Sequence, residues 1–84
     1  MDRSVVLAVG ESYKLRSGKD HITYAGMVSD KTYSIVQRKR KFGPYMGWGF
    51  AWNLFYPREQ TRITVDEVNM EVESVTPQEI RLRI

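Results

Sequence analysis

The sequence predicts a mainly β fold, a small antiparallel barrel or roll of five to seven short strands. Stretches in which apolar and polar residues alternate recur along the 84-residue chain, and clusters of turn-forming residues separate them. β-branched and aromatic residues, which favour strands, are plentiful within these stretches. A chain of this length buries enough apolar surface for one core, so we expect a single small β domain over residues 1–84.

The first half of the chain predicts an apolar strand followed by a hairpin. Residues 5–9 form a continuous apolar run that is typical of a buried strand, and Gly10 ends it. The side chains of residues 22–28 are expected to alternate between the two faces of an extended segment. Residues 29–31 favour a turn, and residues 33–36 are again rich in strand-forming side chains. These two segments are therefore expected to pair.

A further strand is predicted at residues 50–56, directly before Pro57. Side chains at alternate positions of a strand lie on the same face, which groups Phe50, Trp52, Leu54 and Tyr56. A small core needs bulky apolar residues, so we expect Phe50, Trp52 and Leu54 to be part of it.

The last third of the chain supports two interpretations. Thr64 followed by Glu67 resembles a helical capping box, and valines follow at helical spacing, which would make the fold α+β with a helix at about 65–75. Against a helix, valine is β-branched, and Ile80, Leu82 and Ile84 alternate strictly with two arginines. An antiparallel hairpin of residues 70–74 and 80–84 is the alternative.

One register of this hairpin satisfies both of its faces. The apolar pairs would be Val72 with Leu82 and Met70 with Ile84, and the charged pairs would be Glu73 with Arg81 and Glu71 with Arg83. Charged pairs of this kind contribute about 0.2 to 1 kcal/mol each. Agreement between the apolar and charged faces is stronger evidence for a register than either face alone.

Catalytic motifs are absent from the sequence. It has no cysteine, one histidine (His21), and no GxSxG, HExxH or phosphate-loop signature. His21 beside Asp20 is interpreted as a solvated turn pair rather than as a base with its orienting carboxylate. We therefore expect a protein that is not an enzyme and needs no cofactor.

Calcium binding is an alternative for the acidic C-terminal third. Asp66, Glu67, Glu71 and Glu73 place four carboxylates within eight residues, and calcium prefers several oxygen ligands. The spacing matches no EF-hand loop, and the hairpin described above would pair two of these carboxylates with arginines. We therefore expect no metal site here.

The basic residues are concentrated in the first three quarters of the chain. Residues 1–62 contain 11 Lys/Arg against 5 Asp/Glu, whereas residues 63–84 contain 2 against 5. Four cations are consecutive at residues 38–41, and the uncharged residues 42–57 that follow contain seven of the ten aromatic side chains. Such a combination is typical of nucleic-acid binding, because cations neutralise phosphates and aromatic rings stack on bases.

The glycine-rich residues 42–49 are predicted to form a surface loop that presents these aromatic rings. The candidate nucleic-acid-binding residues are Arg38, Lys39, Arg40, Lys41, Tyr45 and Trp48. Alternatively, the aromatic residues of the loop would cover the open end of the barrel.

The predicted function is thus a non-catalytic binding module whose partner is nucleic acid. The same residue types are enriched at protein interfaces, so the alternative is a protein–protein interaction or self-association domain. Self-association would make the protein a homo-oligomer. Lysines beside tryptophan and tyrosine also suit an anionic membrane surface. The lack of cysteine and of a secretory segment agrees with a cytoplasmic protein.

Overall fold

The computed structural model describes residues 3–15, 20–38, 51–65 and 67–84. They form eight strands: β1 (Ser4–Ala8), β2 (Ser12–Lys14), β3 (His21–Ser29), β4 (Thr32–Arg38), β5 (Ala51–Pro57), β6 (Arg62–Val65), β7 (Val68–Val75) and β8 (Glu79–Arg83). Sheet 1 has the strand order β1-β8-β7-β6 and sheet 2 the order β2-β3-β4-β5, and all pairs are antiparallel. The predicted mainly β, roll-like fold is confirmed, with more strands than the five to seven expected.

The two sheets share one hydrophobic core. β3 contacts both β1 and β8, and the buried apolar side chains form one cluster. Its members are Leu7, Leu15, Ile22, Tyr24, Tyr33 and Ile35, together with Ile63, Val65, Met70, Val72, Val75, Ile80 and Leu82. We call the side of each sheet that contributes to this cluster its inner face and the opposite side its outer face.

The connection between β1 and β2 carries the chain from sheet 1 to sheet 2. Gly10 has a φ of 92°, a conformation that L side chains rarely adopt, and its N–H donates to the carbonyl of Tyr24. The preceding Val9 N–H donates to the carbonyl of Gln78 in the β7–β8 turn. Backbone hydrogen bonds therefore link this connection to both sheets.

The alternative helix at about 65–75 is wrong, because β6 and β7 occupy this part of the chain as a hairpin. Val65 pairs with Val68 across the turn, where Glu67 has a φ of 63°. The Thr64 hydroxyl donates to Oδ1 of Asn69 on the opposite strand instead of capping a helix. The helix-like spacing arises from this turn together with a β-bulge at Glu73, which interrupts the two-residue alternation of β7.

The predicted register of the β7–β8 hairpin is partly confirmed. Val72 pairs with Leu82 and Glu71 with Arg83, and Met70 and Ile84 lie just beyond the end of this ladder. The pairing of Glu73 with Arg81 is wrong, because the bulge places Ser74 opposite Arg81.

The bulged Glu73 has two polar partners. Its Oε2 lies 2.9 Å from Nη2 of Arg83, and its Oε1 accepts a hydrogen bond of 3.0 Å from the Ser4 hydroxyl. The ion pair is partly exposed to solvent, so it contributes at most about 1 kcal/mol. Glu73 thus connects β7 to β8 and to β1 on the outer face of sheet 1.

Trp52 is not a core residue, contrary to the sequence-based expectation. It lies on the inner face of sheet 2 with Leu54 and Tyr56, but it stands one residue from the start of β5 and is 42% exposed. Leu54 is half-buried and packs against the core as expected. Phe50 lies outside the described residues.

Two buried tyrosines on sheet 2 donate hydrogen bonds to backbone carbonyls in the β7–β8 turn of sheet 1 and in the β5–β6 connection between the sheets. The Tyr24 hydroxyl donates to the carbonyl of Thr76, and the Tyr33 hydroxyl donates to the carbonyl of Gln60 at 3.0 Å. Burial raises the pKa of Tyr33 to about 12, and the nearby Tyr56 and Tyr24 hydroxyls add to this rise. Burial also raises the pKa of Tyr24 and of Tyr56.

The raised pKa of Tyr33 predicts a loss of stability in alkali. An unfolded tyrosine ionises near pH 10, whereas folded Tyr33 keeps its proton until about pH 12, so stability is complete below pH 10 and is lost as the pH rises to 12. Between pH 9 and pH 12 the parent should lose about 2 kcal/mol more unfolding free energy than Tyr33→Phe.

Urea unfolding across this pH range checks the prediction. At pH 8 Tyr33→Phe should be less stable than the parent by about 1 kcal/mol, because it lacks the hydrogen bond to Gln60. The order of stability should reverse by pH 12. If the unfolding free energies of the two proteins changed in parallel with pH, the raised pKa of Tyr33 would be contradicted.

Candidate nucleic-acid interface

Of the six predicted binding residues, the structure describes Arg38, which is exposed and is the last residue of β4. The other predicted residues, Lys39, Arg40, Lys41, Tyr45 and Trp48, lie outside the described residues. The described part of the candidate site is therefore Arg38 and its neighbours on the strands that extend sheet 2 from β4.

Arg38 is part of a basic row that crosses three neighbouring strands. It pairs with His21 at the start of β3, and His21 pairs with Lys14 at the end of β2. Directly opposite residues of antiparallel strands project on the same face, so Lys14, His21 and Arg38 all lie on the outer face of sheet 2. Adjacent strands are about 4.8 Å apart, which places the Lys14 and Arg38 backbones roughly 10 Å apart.

No acidic residue occupies a paired position on the outer face of sheet 2 within the described ranges. The row next to the basic row contains Ser12, Thr23, Val36 and Asn53, and the following row contains Gly26, Ser34 and Phe55. The basic side chains of this face consequently have no carboxylate directly opposite them. The face is expected to carry a positive potential at the end where β2 and β4 finish.

The outer face of sheet 1 has a different charge pattern. Arg62 pairs with Glu71, and Glu71 pairs with Arg83, so positive and negative side chains alternate across three strands. Opposite charges at this spacing largely cancel beyond a Debye length of about 8 to 10 Å. The two outer faces therefore differ in electrostatic character, and the uncompensated one is that of sheet 2.

A partly buried hydrogen bond lies on the inner side of the basic row. Nε2 of Gln37 donates to Oδ2 of Asp20 at 2.6 Å, and the backbone carbonyl of Asp20 accepts from the N–H of Leu15 at 3.1 Å. These three residues are the immediate chain neighbours of Arg38, His21 and Lys14, respectively. The Asp20–Gln37 bond thus fixes the ends of the strands that carry the basic row.

The interpretation of Asp20 and His21 as a solvated turn pair is wrong in both parts. Asp20 is 3% exposed and bonded to Gln37, and His21 begins β3 and is half-buried. The strand alternation sends the two side chains to opposite faces of sheet 2. His21 belongs to the basic row, whereas Asp20 accepts the hydrogen bond from Gln37 on the opposite face.

Sequence reasoning missed Lys14 and His21 as members of the site. They are 24 and 17 residues from Arg38, and no local motif joins the three. The available signal was the hairpin predicted from residues 22–28 and 33–36. Continuing the Ser29–Thr32 register without a bulge would place position 21 opposite position 40, and two bulges in β3 shift it to position 38.

An exposed aromatic residue lies on the same outer face. Phe55 is 58% exposed on β5, which stands at the end of the strand order of sheet 2 and pairs with β4. Its directly opposite residue is Ser34, a small side chain, and Asn53 lies between Phe55 and the start of the strand. The face therefore combines cations at one end with an amide and an aromatic ring along β5.

A separate cavity of about 480 Å³ lies on the β6–β7 hairpin of sheet 1. Its lining residues are Arg62, Ile63, Thr64, Asn69, Met70 and Glu71. The two charged lining residues are opposite each other in the ladder and balance one another. Within the described residues no group of three or more acidic or histidine side chains could hold a metal ion, and Asp66 lies outside them.

No family model matches the chain, and neither the curated proteins nor the solved structures contain a match to it. The part of the chain that the structure describes has no helix of the length and apolar character that crossing a membrane requires.

The hydrogen bond between Gln37 and Asp20 predicts the effect of changing Gln37. Gln37→Leu keeps a side chain of similar size but removes the amide donor to the buried Asp20 carboxyl group. Leaving a buried polar group without its donor costs about 1 to 3 kcal/mol, so the unfolding free energy should fall by that amount. Urea unfolding of both proteins measures it.

Asp20→Asn is the matched control. It retains an oxygen that can accept from Gln37, so it should cost less than Gln37→Leu. If Gln37→Leu were within about 0.5 kcal/mol of the parent, a change typical of an exposed surface substitution, the supporting role of this bond would be refuted.

Proposed function

We propose that this protein is a non-catalytic nucleic-acid-binding module whose phosphate-contacting surface is the basic row on the outer face of sheet 2. The observation that carries the proposal is the alignment of Lys14, His21 and Arg38 across three strands, on a face whose described paired positions hold no acid. A phosphate backbone is a line of negative charges, and two cations roughly 10 Å apart, Lys14 and Arg38, can both contact phosphates along it.

The sequence after Arg38 adds further candidate residues. Arg38 leads into Lys39, Arg40 and Lys41, so three more cations follow it directly in the sequence. Tyr45 and Trp48 remain the candidate stacking residues of the segment that follows. The described basic row and these sequence-based candidates together supply the cationic and aromatic groups that binding of nucleic acid requires.

A second candidate function is a protein-interaction or self-association domain. The observation that favours it is the exposure of two aromatic side chains, Trp52 and Phe55, on β5 at the end of the strand order. Aromatic residues are enriched at interfaces, and a terminal strand can add a strand from a partner. An interface of this kind should resist salt that dissociates a phosphate ligand, which separates the two candidates.

Replacement of Lys14 or Arg38 by glutamine tests the proposed function. Binding of a fluorescently labelled oligonucleotide is followed by anisotropy between 50 and 200 mM salt, a range in which phosphate contacts weaken steeply. Each substitution should weaken binding and reduce the steepness of the log Kd against log salt plot by about 0.7 to 0.9.

Arg81→Gln is the control, since it removes the same charge from the outer face of sheet 1. Arg81 is exposed and pairs with Val6 and Ser74, so it is away from the basic row. It should leave the salt dependence nearly unchanged. Equal effects of all three substitutions, or no binding of any oligonucleotide at low salt, would reject the proposal.

A further inference from the structure

The outer face of β5 presents three successive side chains beside the basic row. Ala51 pairs with Arg38 and therefore lies at the level of the basic row on β5. Asn53 and Phe55 follow on the same face. Residues advance by about 3.4 Å along an antiparallel strand, so Phe55 is roughly 14 Å from the position of Ala51. A ligand that contacts both the cations and Phe55 must therefore extend along the strand.

The ring of Phe55 is available for stacking from solvent. It is 58% exposed, and the residue directly opposite it is the small Ser34, which is itself 2% exposed. An aromatic ring with this exposure on a strand at the end of the strand order can stack on a flat partner, and every nucleic-acid base has such a face. The neighbouring Asn53 is exposed and offers both a donor and an acceptor to the edge of a base.

These features discriminate between the forms of nucleic acid. In a duplex the bases are stacked on one another and present only their edges in the grooves, so a ring fixed on a sheet cannot stack on them without disrupting the helix. In a single strand the bases can turn outward onto aromatic side chains. The basic row alone could contact the phosphates of either form, whereas Phe55 could stack only on the bases of a single strand.

We propose that the ligand is single-stranded nucleic acid that lies along β5, with phosphates on the basic row and a base stacked on Phe55. This inference rests on the proposed function, and it adds the strandedness of the ligand and a base-contacting residue. Charge complementarity supports it, because the described paired positions of this face carry cations and no acid.

The test compares Phe55→Ala with the parent on a 12-nucleotide thymidine oligomer and on a 12-base-pair duplex. Stacking contributes about 1 to 3 kcal/mol per base, so Phe55→Ala should weaken single-strand binding by about 5- to 150-fold. Duplex binding and the salt dependence should stay unchanged, because the cations remain.

Phe55→Leu and Phe55→Tyr are matched variants. Leucine retains apolar bulk without an aromatic face, so it should behave like alanine, whereas tyrosine should restore most of the affinity. Urea unfolding checks that all variants are folded, and light scattering checks that their oligomeric state is that of the parent.

The outcomes separate the two proposals. If the parent binds the duplex as tightly as the single strand and Phe55→Ala changes neither, the single-strand inference is overturned, while the effects of Lys14→Gln and Arg38→Gln still support nucleic-acid binding. If neither oligonucleotide binds at low salt, the proposed function fails and this inference with it. A loss that coincides with dissociation of a dimer would also overturn the inference and assign Phe55 to self-association.

Discussion

The architecture depends on two buried tyrosine hydroxyls of sheet 2 that donate hydrogen bonds to backbone carbonyls outside that sheet. Tyr24 and Tyr33 are fully buried, and their rings belong to the shared core. Each hydroxyl needs a partner at this depth, and each finds one in a carbonyl of the β5–β6 or β7–β8 connection. Apolar packing alone would tolerate sliding between two sheets, whereas these directional bonds restrict their relative position.

Local patterns predicted much of the fold. The β3–β4 hairpin and the strand before Pro57 follow from alternation and turn residues, which act between chain neighbours. The bulge at Glu73 could not be predicted, because it depends on how β7 pairs with β8 rather than on its own alternation. The same bulge, with the turn at Glu67, explains why the valines mimic a helix.

The candidate site was predicted less completely than the fold, because strand pairing, which local sequence patterns do not show, brings its residues together. Arg38 was found because it begins a run of cations, a feature visible in four consecutive residues. Lys14 and His21 join it only through strand pairing, and the exposure of Trp52 depends on where β5 begins relative to the core. Residue type indicates which chemistry is present, whereas register and strand ends decide which groups meet.

The shortness of β2 has a consequence for how the surface behaves in solution. β2 contains three residues, stands at the end of the strand order of sheet 2, and carries Lys14 at its last position. Short terminal strands open locally at a small fraction of the free energy of global unfolding. Each such opening would withdraw one cation from the row, and an anion held there would in turn keep β2 closed. The positive charge of this surface therefore depends on how well β2 is ordered, and a bound anion would increase that order.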